Sequence, residues 1–440
     1  MKRYIDLFRE KKIIIDRFCN PLLNFFRKKA FENFQKFLFC YNSKDYNNTH
    51  ITAFLGIGKM EFEELLKVKI DPHIVFCCGI PYLNSYIQHF VLNGYCLSYK
   101  IKKYEQKKSF NFFSGSLNKF AEQYPNVFLK YYNKQSDFKG DILSAFNTMF
   151  IQDGYVLYIP KNVIVEDPIQ LNSMISWNVN LLVNKRILII LEERAQAKLF
   201  VCDHTINNES FFSFVQVVEI YLEKQAVFDF YELEKNTKKT IRLTQSFVSQ
   251  MDGSKLTTST ITLNNFITQN KYIVDLNSEC AESNIHGLTI IDEKQKIDNF
   301  VVINHNAPKC SSNSIHKYVL DDESVGSFSG KITVANNACK TKAYQSNRNI
   351  LSSDTCQMYS NPQLEINVDN VDCSHGASTG YLDELALFYM RSRGIPNNDA
   401  NYLLKLAFIS DILKEIKMKE LKNQLQLLVN KYFKKKLTKC

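Results

Sequence analysis

Short apolar runs separated by turn residues dominate residues 154–336. The segments LLVNKRILIILEE, AQAKLFVCDHT, SFVQVVEIYLE, AVFDFYELE and TIRLTQSFVSQ follow one another almost without a break. KLTTSTITL, NKYIVDLN, NIHGLTIID, DNFVVINHN and GKITVAN continue the series, with no convincing helix between them. These read as strands. A run of this kind closes as a sandwich, a barrel, a propeller or a solenoid. No WD or kelch signature and no strict hexapeptide repeat is present, and a single all-β region of this length favours an elongated β-helix. The flanks have another texture. Ile5, Phe8, Ile13, Ile14, Phe18, Leu22, Phe25 and Phe26 recur at helical steps among Lys and Arg, interrupted by Pro21. Residues 41–50 are loop-like, residues 74–78 read as a strand, and residues 115–124 and 142–150 as helical. After Tyr381 the pattern is helical to the end: Asn397 or Asn398 can cap a helix carrying Tyr402, Leu403, Leu406, Ile409 and Leu413. Leu421, Leu425, Leu428 and Tyr432 stripe a last one. The division this predicts is a mixed, mostly helical region over 1–150, a β-helix core over 151–380 and a helical region over 381–440.

The handover between the last two regions carries the chemistry. Leu364, Ile366 and Val368 alternate with Glu365 and Asn367, which predicts a half-buried strand. Asp369-Asn370 supplies a turn, and Val371-Asp372-Cys373-Ser374-His375 resumes an extended pattern. In a strand, Cys373 and His375 share a face, roughly 6–7 Å apart. Beyond Gly376 and Gly380, Leu382, Leu385, Ala386 and Tyr389 recur at helical spacing, and a helix can end at Gly394 before Pro396.

The chain has 440 residues, 45% of them apolar and 23% charged, the balance of a folded protein of more than one core. No apolar run reaches the length of a membrane span, and the charged N-terminus MKRYIDLFREKK lacks a signal-peptide core, so a cytoplasmic location is expected. The net charge of +10 is spread along a Lys- and Asn-rich chain, apart from the run Lys434-Lys435-Lys436, and reads as solvated surface rather than a nucleic-acid footprint. The 12 cysteines form no C-x-x-C pair and no zinc-finger spacing. Most, including Cys77-Cys78, read as small buried thiols. No G-x-x-x-x-G-K-[ST] loop is present, so ATP hydrolysis is not expected of this chain.

The stretch NPQLEINVDNVDCSHGASTGYLDELALFYMRSRGI resembles the C-terminal signature of the SufB/SufD family of iron–sulfur cluster assembly scaffold proteins. A second block agrees with it: His305, Pro308, Cys310 to Ser312, then HKYVLDDESVGSFSGKITV and TKAYQSNRN. A weaker echo lies in KDYNNTHI, from Lys44. The resemblance implies a right-handed parallel β-helix between two helical domains. It also implies pairing through that core with a SufB paralogue and docking of the ABC-type ATPase SufC on the C-terminal helices. In SufB the position matching Asn347 is a cysteine that receives sulfur, and the position matching Gly376 is a glutamate. Asn347 and Gly376 therefore place this chain on the SufD side, although Cys356 matches a cysteine of SufB-like sequences.

Ligand counting is independent of the resemblance. A cluster needs about four ligands. Cys373 and His375 offer two at most, so a cluster here would be transient and shared with a second chain, with none resident in this one. The resemblance assigns His375 as the residue facing the SufB cysteine, with Cys373 assisting if its thiol is activated. It also sets Phe388, Tyr389, Arg391, Arg393 and Gly394 near the ATPase docking site, while Arg391 and Arg393 equally suit a helix C-terminus. Cys202-Asp203-His204, His305 and Cys310 are further metal-like groupings for which ordinary packing is the simpler reading. The expectation is a non-catalytic scaffold that binds neither nucleic acid nor membrane. The alternatives are a SufB-like paralogue, a homodimer in isolation, a polysaccharide-active β-helix enzyme or a free-standing metal or sulfur carrier.

Overall fold

The computed structural model describes residues 2–17, 19–41, 87–97, 111–139, 142–175, 181–205 and 210–437. The predicted strand at 74–78, the loop at 42–50 and the segment from Lys44 lie outside the described residues. The chain passes alternately between two sheets of parallel rungs. One sheet stacks Ile87–Leu92, Ile169–Ile175, Gln196–Thr205, Val227–Lys235, Lys255–Thr262, Glu282–Ile291, Ser311–Leu320, Lys342–Leu351 and Asp372–Gly380. The other stacks Tyr155–Ile159, Leu181–Leu191, Phe212–Leu222, Thr240–Gln250, Ile267–Leu276, Lys296–His305, Val325–Val334 and Gln357–Ile366. This is the expected β-solenoid, each turn laying one strand on each sheet. Ile87–Leu92 is its first rung on one side, and the antiparallel strands Tyr95–Leu97 and Phe113–Ser116 finish that end.

Burial along the strands reports what covers them. Leu181–Leu191 and Phe212–Leu222 are buried at every position, because both their faces are packed. Their inward residues, such as Ile187, Ile189, Val218 and Ile220, fill the solenoid. Leu182 and Val215 point outward into Tyr4, Phe8, Phe34, Phe146 and Phe150 of the N-terminal helices. Those helices include Lys2–Arg17 and Pro21–Tyr41, with Pro21 at the first helical position, where its missing N–H costs nothing. On the opposite sheet Phe200, Tyr231, Ile261, Leu288 and Val319 point outward under the helices Asn397–Lys414 and Lys419–Leu437. Pro396 rather than an Asn side chain occupies the cap position of the first. Later rungs lose their covers: Val325–Val334 alternates buried and half-buried, and Asp372–Gly380 is almost wholly exposed.

One corner repeats a backbone conformation. Asn162, Arg194, Gln225, Gly253, Cys280, Lys309, Lys340 and Asn370, one per turn, all have φ between 56° and 63°. The amide of each residue from Asn162 to Lys340 donates to a carbonyl in the next turn, for example Lys309 to Cys339 and Lys340 to Asn370.

Inside the solenoid, charge interrupts the apolar filling. Arg242 is fully buried, with its guanidinium 2.6 Å from Glu232, 2.5 Å from Glu234 and 3.3 Å from Asp203. Lys185 meets Asp203 at 2.5 Å. Two cations thus face three carboxylates, and one retained proton brings the set to neutrality. Burial, with repulsion from Glu232 and Asp203 and against the attraction of Arg242, raises the Glu234 carboxyl to about 7. The folded state therefore keeps a proton that the unfolded chain releases in the usual glutamate range.

Removing Arg242 strands buried carboxylates. Arg242→Ala is expected to lower stability by about 3–5 kcal/mol, read from the denaturant midpoint. The sign for Glu234 follows from linkage: its contribution declines as pH rises from the ordinary glutamate range to about 7, and is level above that. Glu234→Gln should flatten this part of the stability–pH curve, and an unchanged slope would contradict the assignment.

Candidate functional site at the open end of the solenoid

The last two rungs have one neighbour each. Asp372–Gly380 pairs with Lys342–Leu351, and Gln357–Ile366 with Val325–Val334, leaving both outer edges without a further strand among the described residues. Tyr359 and Ile366 are exposed along this end. The predicted strand–turn–strand is observed, with Asn370 left-handed in the turn.

Register fixes where the site residues point. Cys373 lies beside Ala343, and His375 beside Gln345. Ala343 is fully buried in the interior cluster, so Cys373 and His375 belong to the inward face, as the shared-face prediction requires. Because theirs is the terminal rung, that face is open. Cys373 is half-buried against the end of the interior cluster and His375 is exposed. Partial burial raises the Cys373 thiol above its ordinary value, the Asp372 carboxylate adds to this, and the Ala343 amide opposes it. The resting group is thus a thiol, and the activation of Cys373 does not come from this chain at rest.

One rung below, Asn347 is fully buried and stitched in place. Its carbonyl accepts from Ser360 Oγ at 2.7 Å and from Asn349 Nδ2 at 2.8 Å, while its own amide donates to the His316 carbonyl at 3.3 Å. Asn349 reaches up to Thr379 Oγ1 at 2.9 Å in the terminal strand. Gly376 has open space where a side chain would begin.

The other metal-like groupings separate. Asp203 turns inward to Lys185 and Arg242, whereas Cys202 and His204 face outward, Sγ 2.7 Å from Nε2. His305 Nε2 contacts Ser312 Oγ at 2.8 Å across one corner, and Cys310 donates to the Ser278 carbonyl of the preceding turn at 3.2 Å, so both are engaged within the solenoid. Among the described residues no three Cys, His, Asp or Glu side chains converge to hold a metal.

From the open end the chain runs into the helix Glu384–Ser392, capped by the Asp383 carboxylate, which accepts from the Leu385 and Ala386 amides. The helix buries no residue: Leu385 is 80% exposed and Phe388 70%, with Tyr381 and Tyr389 also exposed. Arg391 lies in its last turn, the Arg393 guanidinium sits 5.2 Å from the Tyr389 ring, and Gly394 turns the chain at φ +85°. Sequence reasoning singled out Phe388 and Tyr389 but missed that Tyr381 and Leu385 join them in one apolar patch. The available signal was the Leu382, Leu385, Ala386, Tyr389 stripe, which normally marks a buried face. The next helix, Asn397–Lys414, is anchored to the solenoid by Ile409, Ile412 and Leu413 and by buried Lys317, whose ammonium lies 2.8 Å from Asp411 and 2.5 Å from the Phe408 carbonyl. No helix among the described residues is long and apolar enough to cross a membrane.

Residues 174–408 match the family model described as "SUF system FeS cluster assembly, SufBD core domain", and residues 1–171 that described as "SufBD protein N-terminal region". The chain is 28% identical over 295 residues to an iron–sulfur cluster assembly SufBD family protein of Synechocystis, covering 65% of each chain. It is 35% identical over 149 residues to the iron–sulfur cluster assembly protein SufD of Escherichia coli, covering 34% of this chain and 35% of that one. With SufD of Bacillus subtilis the identity is 25% over 285 residues, covering 64% and 65%. Each match thus spans less than two thirds of the relative's own length.

If Asp372 helps to hold the Cys373 thiol protonated, Asp372→Asn should speed its alkylation at fixed pH. Peptide mass spectrometry after an iodoacetamide pulse measures this, and an unchanged rate would remove Asp372 as a cause.

Proposed function

Since the chain belongs to the SufB/SufD family of iron–sulfur cluster assembly proteins, on its SufD side, we propose that it is a non-catalytic scaffold subunit of a SufB–SufC–SufD complex. The observation that carries this reading is the uncovered terminal rung, with His375 exposed on the inward face. Two sheet edges unpaired among the described residues favour a partner that continues both ladders, and the family resemblance implies SufB as that partner. A nascent cluster at such a joint is cargo, not a resident group. His375 supplies an imidazole nitrogen, Cys373 a thiolate once iron displaces its proton, and the partner the remaining ligands. Asn347 cannot accept sulfur, so that role falls to SufB.

The apolar patch of Tyr381, Leu385, Phe388 and Tyr389 is the docking surface for SufC, with Arg391, Arg393 and Gly394 at its edge. Its exposure on a helix that buries nothing supports this reading. ATP hydrolysis belongs to that partner. Lys317 and the buried face of Asn397–Lys414 then connect the docked ATPase to the solenoid strands Glu282–Ile291 and Ser311–Leu320, back from the joint.

The complex reconstituted with His375→Ala should pair normally yet fail to accumulate the visible absorption of an iron–sulfur cluster under anaerobic conditions. Undiminished cluster formation removes His375 from the mechanism. Leu385→Ala and Phe388→Ala should each weaken SufC capture by about 2 kcal/mol, while SufB pairing is retained. Capture at wild-type affinity by the double variant would move the docking site elsewhere.

A further inference from the structure

We infer that Met174, Cys202 and His204 form a binding site for one soft monovalent cation, with Cu(I) as its natural representative. Strands Ile169–Ile175 and Gln196–Thr205 pair in parallel, placing Met174 beside His204 and Asn172 beside Cys202. Ile169, Leu171, Leu199 and Val201 fill the solenoid, so the alternate residues Met174, Cys202 and His204 share the outer face. A thioether, a thiol and an imidazole are therefore neighbours on one patch of sheet. Met174 and Cys202 are buried.

The sulfur and nitrogen are already in contact: Cys202 Sγ lies 2.7 Å from His204 Nε2. A cation entering between sulfur and nitrogen takes the place of the thiol proton: Cys–SH and M⁺ give Cys–S–M and H⁺, with no change in oxidation state. Binding thus releases one proton and widens the sulfur–nitrogen contact.

Charge decides which ion fits. One thiolate, one neutral imidazole and one thioether around a monovalent ion leave the buried site neutral. A divalent ion would leave a positive charge out of water beside Lys235, and Asp203, on the opposite face, is already engaged by Lys185 and Arg242. Softness selects in the same direction, because thiolate and thioether sulfur favour Cu(I) over Zn(II) or Fe(II). The site is independent of the open end of the solenoid and of the reading proposed for it.

The test titrates the full, reduced chain with Cu(I) against a chromophoric chelator under anaerobic conditions, with X-ray absorption at one equivalent. The expected first equivalent has a mixed sulfur and nitrogen shell and an affinity that rises tenfold per pH unit near neutrality. Cys202→Ser should lose it and His204→Gln should remove nitrogen from the shell. Met174→Leu, which conserves volume in the core, should weaken binding while the circular dichroism and melting curve stay unchanged. An all-sulfur first shell, or a first equivalent indifferent to Met174→Leu and His204→Gln, overturns the inference by assigning the ion to other thiols of the chain. Displacement of the first equivalent by stoichiometric Zn(II) overturns it as well.

Discussion

A parallel solenoid satisfies its backbone by stacking, so each strand depends on the next turn for half of its hydrogen bonds. Nothing within the repeat can satisfy the final turn. The helices that follow the last rung do not fold over it: their buried residues, Ile409, Ile412, Leu413 and Leu421, are spent on the outer face of one sheet, well back along the column. The terminal strand is consequently exposed on its inward face as well as its edge, and Cys373 and His375 inherit that exposure. The chemistry of the end follows from the architecture: side chains that would be interior in any other turn become accessible in this one.

The middle of the column has the opposite problem. Arg242, Lys185 and their three carboxylates occupy an interior that Leu, Ile and Val fill on either side. Such a set is costly to desolvate and adds little net stability over an apolar filling, but it penalises every misaligned rung, because a register shift would leave a buried charge unmatched. In a stack whose successive turns resemble one another, that penalty gives one register an advantage that uniform apolar packing would not.

Much of this was legible in the residues and some was not. Strand-sized apolar runs and the break in period after Gly380 located the solenoid and its C-terminal helices, because period and run length are local properties. Alternation put Cys373 and His375 on one face. The same alternation, applied to Cys202-Asp203-His204, would have divided that triplet between the two faces, where adjacency in sequence suggested one cluster. The turns were obscure for a physical reason: Arg194, Gln225, Cys280, Lys309 and Lys340 hold left-handed corners where Gly or Asn would have announced them. The exposure of Leu385 was hidden as well, since an apolar stripe at helical spacing looks the same whether it meets its own chain or another.

Those corners bear on how the column comes apart. A left-handed Lys309 or Lys340 is strained by about 1–2 kcal/mol, and the acceptor that holds it in place belongs to the following turn. Peeling away one turn therefore unsettles the corner beneath it, and fraying, once begun, would propagate like a zip. The tip is where this hazard is greatest, since among the described residues no turn beyond Asn370 anchors it. There the residue is an asparagine, which bears the left-handed conformation with little strain, so the column ends on its least stressed corner.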